Sequence, residues 1–359
     1  MAGSQMNSAL EERRVGPAPR GGWPCRWGAA AVAAGLCACS PVYVTKAAAG
    51  HASLLWHSRS MIAALRDPST PEDLKAKIKL ALEVREFAFQ RMALRQSRDF
   101  STYTPVHGAV TYVVSACPRT RLEAYQWWFP FVGQVPYKGY FRKADAERER
   151  RRFEGRGFDA RVGGVAAYKT PLWFADPLPS NVLDYPTGEL AELLIHEFTH
   201  GTVWFKDRVD FDEAAATFVG QEGAADFLAQ RFGRDSRELM DYRKGLERER
   251  QSAAAMDELY QRLADLYRSP AAEAEKLARR EEVFAWGRQR LEAIGQPLSE
   301  PLNNATVLAH RLYTCDLSAF RALHERCGRD WGKTVAALKA LDRRDPFGAL
   351  TKLTSAAPR

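Results

Sequence analysis

An α+β fold, predominantly α-helical with a small β-sheet, is what this 359-residue sequence predicts, and three observations carry the prediction. Apolar residues recur at helical spacing through most of the chain, from residue 40 to about 100 and again from Thr187 to about Asp342. Two β-branched runs, Val110–Ala116 and Ala160–Tyr168, fall between these regions and read as strands. Hydrophobic residues at 46% and charged residues at 27% give an ordinary globular balance, in a chain long enough for two or more domains.

The N-terminus reads as an export signal. Arg13, Arg14, Arg20 and Arg26 precede the apolar run Trp27–Cys39, which is too short to span a bilayer. Its end, Leu36-Cys37-Ala38-Cys39-Ser40, resembles a bacterial lipobox, with an aliphatic residue three before and a small residue just before a cysteine. Residues 1–39 are therefore expected to be a lipoprotein signal peptide, with Cys39 lipidated and the mature chain held at a membrane by acyl chains. Ser40 fits an outer-membrane destination facing the periplasm. Once the signal and the lipidated residue are set aside, Cys117, Cys315 and Cys327 remain, an odd number in which the last two could pair. No C-x-x-C is present to suggest thiolate zinc binding.

Ala47–Leu65 reads as a first helix, Asp67-Pro-Ser-Thr-Pro-Glu-Asp73 as a break and restart, and Leu74–Phe89 as a second helix. Trp127–Phe141, between the strands, is aromatic and rich in turn formers. Its tryptophans and Phe129 are expected in the core. The formal charge of +8 invites a nucleic-acid reading, but the arginine run Arg148–Arg152 lies within the mixed-sign stretch Glu147–Glu154. A solvated helix face explains it, and no nucleic-acid motif accompanies it.

The chemistry concentrates after Thr187, a plausible N-cap for a helix whose buried side would be Ala191, Leu194, Ile195 and Phe198. That helix ends in His196-Glu197-Phe198-Thr199-His200, the H-E-x-x-H arrangement of zinc hydrolases. Residues four apart share a helix face, so both imidazoles can reach one metal ion while Glu197 serves as general base. Catalytic zinc sites use three protein ligands and keep a position for water. Glu213, thirteen residues on in a helix expected from about Asp212 to Phe232, is the expected third ligand, although it could also complete a capping box with Asp210. Glu222 is the rival ligand, through Glu222-Gly-Ala-Ala-Asp226, and a candidate for binding a substrate's free amine. Tyr168, at the end of the second strand, could donate to a substrate oxyanion, although a packing role competes. His107 has no partner motif.

Trp128–Phe141, Val165–Pro177, the His196–His200 motif and Phe211–Gly220 together resemble a family of predicted zinc aminopeptidases among bacterial lipoproteins. The order and spacing match through about residues 45–235. The resemblance implies a zincin-like fold of the gluzincin type, with the sheet packed beside the motif helix, one Zn2+ per chain and Glu213 in the place of the family's glutamate. Where the family usually has Asn-Glu, this chain has Asp212-Glu213.

The sequence is thus expected to divide into the signal at 1–39, a zincin-like catalytic region at 40–235 and a helical C-terminal region at 236–359. The expected activity is zinc-dependent hydrolysis of peptides from the amino end. A zinc endopeptidase and a non-catalytic zinc-containing envelope binding protein are the alternatives. The expected setting is the bacterial cell envelope, with a peptide substrate, a membrane anchor and no nucleic acid.

Overall fold

The computed structural model describes residues 50, 52–106, 108–129, 133–165, 175–298, 300–311 and 316–355. Within them the protein is mostly helical with small sheets. Cys39, His107, Tyr168 and Cys315 lie outside the described residues.

Near the N-terminal end, the single helix expected over Ala47–Leu65 is divided. Strand β1 (Arg59–Ser60) precedes α1 (Met61–Arg66), whose first turn is capped by the Ser60 hydroxyl accepting from the Ala63 N–H. A side-chain cap and strand pairing here override apolar periodicity. Helix α2 (Glu72–Gln90) follows and buries Ile78, Ala81, Val84, Phe87 and Ala88 along one face.

Among the described residues, three small sheets replace the one expected. In the first, β1 runs antiparallel to β2 (Thr102–Thr104), which pairs in parallel with β8 (Leu178–Pro179). The second is antiparallel, with β3 (Thr111–Pro118) between β6 (Lys138–Tyr140) and β7 (Phe158–Val165). It packs against α3 (Lys143–Glu154) and α8 (Asn304–Arg311). Strands β4 (Trp127–Phe129) and β5 (Gly133–Val135) form a two-stranded ribbon. Trp127 is buried as expected, whereas Trp128 is largely exposed. The arginines of α3 pair along their own helix, Arg148 with Asp145 and Arg150 with Glu147 and Glu154, as befits a solvated face.

Strand β8 leads through a 3-10 turn (Ser180–Asp184) into α4 (Thr187–His200), which packs along α5 (Val209–Phe232). Leu190, Ala191, Leu194, Ile195 and Phe198 of α4 are all buried. Beyond them run α6 (Arg237–Arg268), α7 (Glu273–Ala293), α8, α9 (Ser318–Arg326), α10 (Trp331–Lys339) and α11 (Pro346–Ser355). The largest apolar core joins α2, α4 and α5 to residues from both sides of position 235, including Leu239, Phe320, Trp331 and Leu350. Phe211 of α5 touches Phe205, Phe320 and Phe347 at centroid separations of 4.9 to 5.4 Å. Cys327 is a free thiol. Among the described residues, no helix is long and apolar enough to cross a membrane.

Candidate metal centre

The two histidines project from the last turns of α4 toward α5. Phe198 fixes the roll of α4 by inserting between Phe89, at 4.9 Å, and Phe100, at 5.8 Å. With that side turned into the core, His196 and His200 lie toward α5, only about one-fifth exposed.

The loop to α5 is short and pinned. The Phe205 N–H donates to Asp212 at 2.9 Å, and Asp207 takes a left-handed backbone conformation with φ of 62°. Thr187 is the first helical residue of α4 rather than its cap, and Pro186 occupies the cap position. Likewise α5 begins at Val209, so Asp210 lies inside its first turn and cannot form a capping box with Glu213. The physical reason is the pinned loop, which starts the helix three residues earlier than its polarity suggests.

Glycine sets the spacing of the two helices. A Cβ at Gly220 would fall 3.0 Å from the Glu192 carbonyl oxygen and 3.3 Å from His196 Cβ. At Gly223 it would fall 3.2 Å from Ile195 Cγ2 of α4. Only a residue without a side chain allows so close an approach.

The approach brings Glu213 to the histidines. One of its oxygens lies 3.5 Å from His196 Nε2 and the other 3.6 Å from His200 Nε2, while the two ring nitrogens are 3.1 Å apart. All three ligand atoms lie within 4.8 Å of one another. Ligands held about 2.0–2.1 Å from a tetrahedral ion would be about 3.3 Å apart, so these separations fit a zinc ion with little movement. Two imidazoles and a carboxylate are also the right donor types for that ion.

The electrostatics couple His196 to Glu213. Burial pushes the His196 imidazolium down, but the hydrogen bond to Glu213 and the charges of Glu197, Glu213 and Glu192 outweigh it, so its pKa is raised. The hydrogen bond from His196 lowers the Glu213 pKa, and the charge of His200 adds to it, against burial. Glu197 lies between the histidines in sequence and is partly buried. Asp212 is pushed up to about 6, chiefly by burial. Its contact with the Phe205 N–H needs only an acceptor oxygen, which the amide of the family's usual asparagine would also supply.

Glu222 stands elsewhere. It pairs with Arg321 at 2.9 Å and Arg329 at 3.9 Å, and Asp226 accepts from the Trp331 indole at 2.9 Å. Neither belongs to the cluster.

Sequence reading missed two participants. Glu192 lies one turn before His196 on α4. Its pKa is pushed up to about 7 by burial, against a hydrogen bond from Tyr242. Tyr242, in a region without motifs, donates to Glu192 Oε2 at 2.7 Å, and burial raises its own pKa strongly. A glycine in the middle of a helix, at 220, was the available signal, because it costs roughly 1 kcal/mol against alanine unless close packing needs it.

A family model described as "Putative aminopeptidase" matches residues 42–348. The chain belongs to that family. The match runs through α4 and α5 and on into the C-terminal helices, so the aminopeptidase-family relationship extends well past residue 235. Membership supports peptidase activity, and with it a peptide substrate. No curated protein and no solved structure matches the chain.

Proposed function

We propose that this protein is a zinc-dependent peptidase that removes residues from the amino end of peptides. The observation that carries the reading is the convergence of His196, His200 and Glu213 on one point, beside Glu197, in a chain of the aminopeptidase family. His196, His200 and Glu213 would hold the ion. Bound zinc supplies Lewis acidity, polarising a carbonyl and making water easier to deprotonate. Glu197 takes the proton from the attacking water on a carboxylate oxygen and delivers it to the leaving nitrogen. Tyr168 is the proposed donor to the substrate oxyanion. Cys39 is the proposed lipid attachment point, placing the enzyme in the cell envelope with its site toward the periplasm and the outer membrane the favoured anchor.

The test is to purify the protein, quantify bound zinc, and compare wild type with Glu197→Gln on peptides with free and blocked amino ends. The reading expects stoichiometric zinc in both and cleavage by wild type of unblocked peptides alone. Cleavage of blocked peptides would make it an endopeptidase. Zinc retained with no cleavage of either kind would overturn the enzyme reading.

A further inference from the structure

We infer that Tyr242 and Glu192 form a positioning pair that holds His196 for the metal, an inference resting on the zinc reading above. Glu192 and His196 are one turn apart on α4 and share a face. Their stems converge on the same bare backbone of α5. Measured from where a Cβ of Gly220 would stand, His196 Cβ is at 3.3 Å and Glu192 Cγ at 3.4 Å. The carboxylate of Glu192 then reaches α6, where the Tyr242 hydroxyl donates to it at 2.7 Å, with the Gln221 carbonyl 3.4 Å from the same hydroxyl. The Tyr242 ring lies against Gly188, where a Cβ would fall 2.4 Å from its Cδ2. Tyr242 is 8% exposed, so this junction is built into the interior rather than laid on the surface.

One tyrosine thus touches α4 at two points, Gly188 and Glu192, and α5 at Gln221. It ties together the two helices that carry the histidines and Glu213. Glu192 places its carboxyl one turn behind His196 on the same helix, both stems lying against Gly220. Outer partners that steady a ligand histidine are worth about 10- to 100-fold in metal affinity. Neither residue touches the reacting atoms. Both act through His196.

The experiment measures zinc affinity by chelator competition at about pH 8, where Glu192 is mostly ionised, on the full chain, with melting of the metal-free protein read in parallel. Glu192→Gln keeps an acceptor for the Tyr242 hydroxyl and removes only charge. It is expected to melt at least as high as wild type and yet bind zinc about 10-fold more weakly. Tyr242→Phe keeps the ring against Gly188 and removes only the hydroxyl, with a similar or larger loss expected. A purely structural pair would leave zinc affinity in Glu192→Gln unchanged, so affinity within twofold of wild type overturns the inference. Wild type that takes up no zinc would sink the zinc reading itself, and this inference with it. Should Tyr242→Phe fail to fold, Glu192→Gln decides alone.

Discussion

Helix α5 carries two glutamates nine residues apart, and they meet opposite chemistry. At about 100° per residue, nine steps place them on opposite faces of the helix. Glu213, toward the N-terminal end, faces two imidazole nitrogens at 3.5 and 3.6 Å. Glu222, on the other face, meets the guanidiniums of Arg321 and Arg329. The second carboxylate already has its cations. The first stands among groups that all offer lone pairs unless protonated. Two residues of the same type on one helix therefore differ in their surroundings because of what packs against each face.

The largest effect expected from this comparison falls on catalysis. Glu197→Gln should lower kcat by about 10²- to 10⁴-fold with zinc content unchanged, as measured by steady-state kinetics and metal analysis. Wild-type rates in that variant would remove the general base from the site. Next comes the contrast between the glutamates themselves. Glu213→Ala should lose zinc affinity by about 100-fold or more, since loss even of an outer partner costs 10- to 100-fold. Glu222→Ala should keep its zinc and lose about 1 kcal/mol of stability or less, because its ion pairs are partly exposed. The reverse pattern in chelator competition would invert the comparison.

A smaller effect tests the packing that turns Glu213 toward the histidines. In Gly220→Ala the added methyl would press on the Glu192 carbonyl, a backbone atom that can yield only by parting the helices. Overpacking of roughly 1–3 kcal/mol is partly offset by about 1 kcal/mol of helix propensity. The net change in melting should be modest, while zinc binding weakens because the three ligands separate. The smallest effect is one of pH. The Glu192 pKa is raised from 4.5 to about 7, so the stability linked to its proton is fully present below 4.5 and is lost as pH rises through about 7. Metal-free wild type should thus lose stability from about pH 5 to 8, and Glu192→Gln should flatten that slope in denaturant melts.

Much of the local structure was legible in the sequence. Helix α2 and the pair α4 and α5 follow from apolar spacing, and β3 and β7 from β-branched runs. Boundaries were less legible where a tertiary contact decides them. The Ser60 cap and β1–β2 pairing break the first helix, and the Phe205–Asp212 hydrogen bond starts α5 early. The region beyond Gly233 offered no chemistry to a linear reading, yet it supplies Tyr242 to Glu192 and Arg321 to Glu222.

What the sequence determined by itself is the local part of the site: two histidines one turn apart on a single face, with a glutamate between them. That geometry is a property of any α-helix and needs no partner. The sequence also pointed to Glu213, but only the tertiary structure decided how near it stands to them, and which distant tyrosine meets Glu192. The reason is that the facing side of a helix is set by packing across the whole core. Here that packing is the close approach at Gly220 and the seating of Phe198 between Phe89 and Phe100, contacts between residues about 24 to 109 positions apart in the chain.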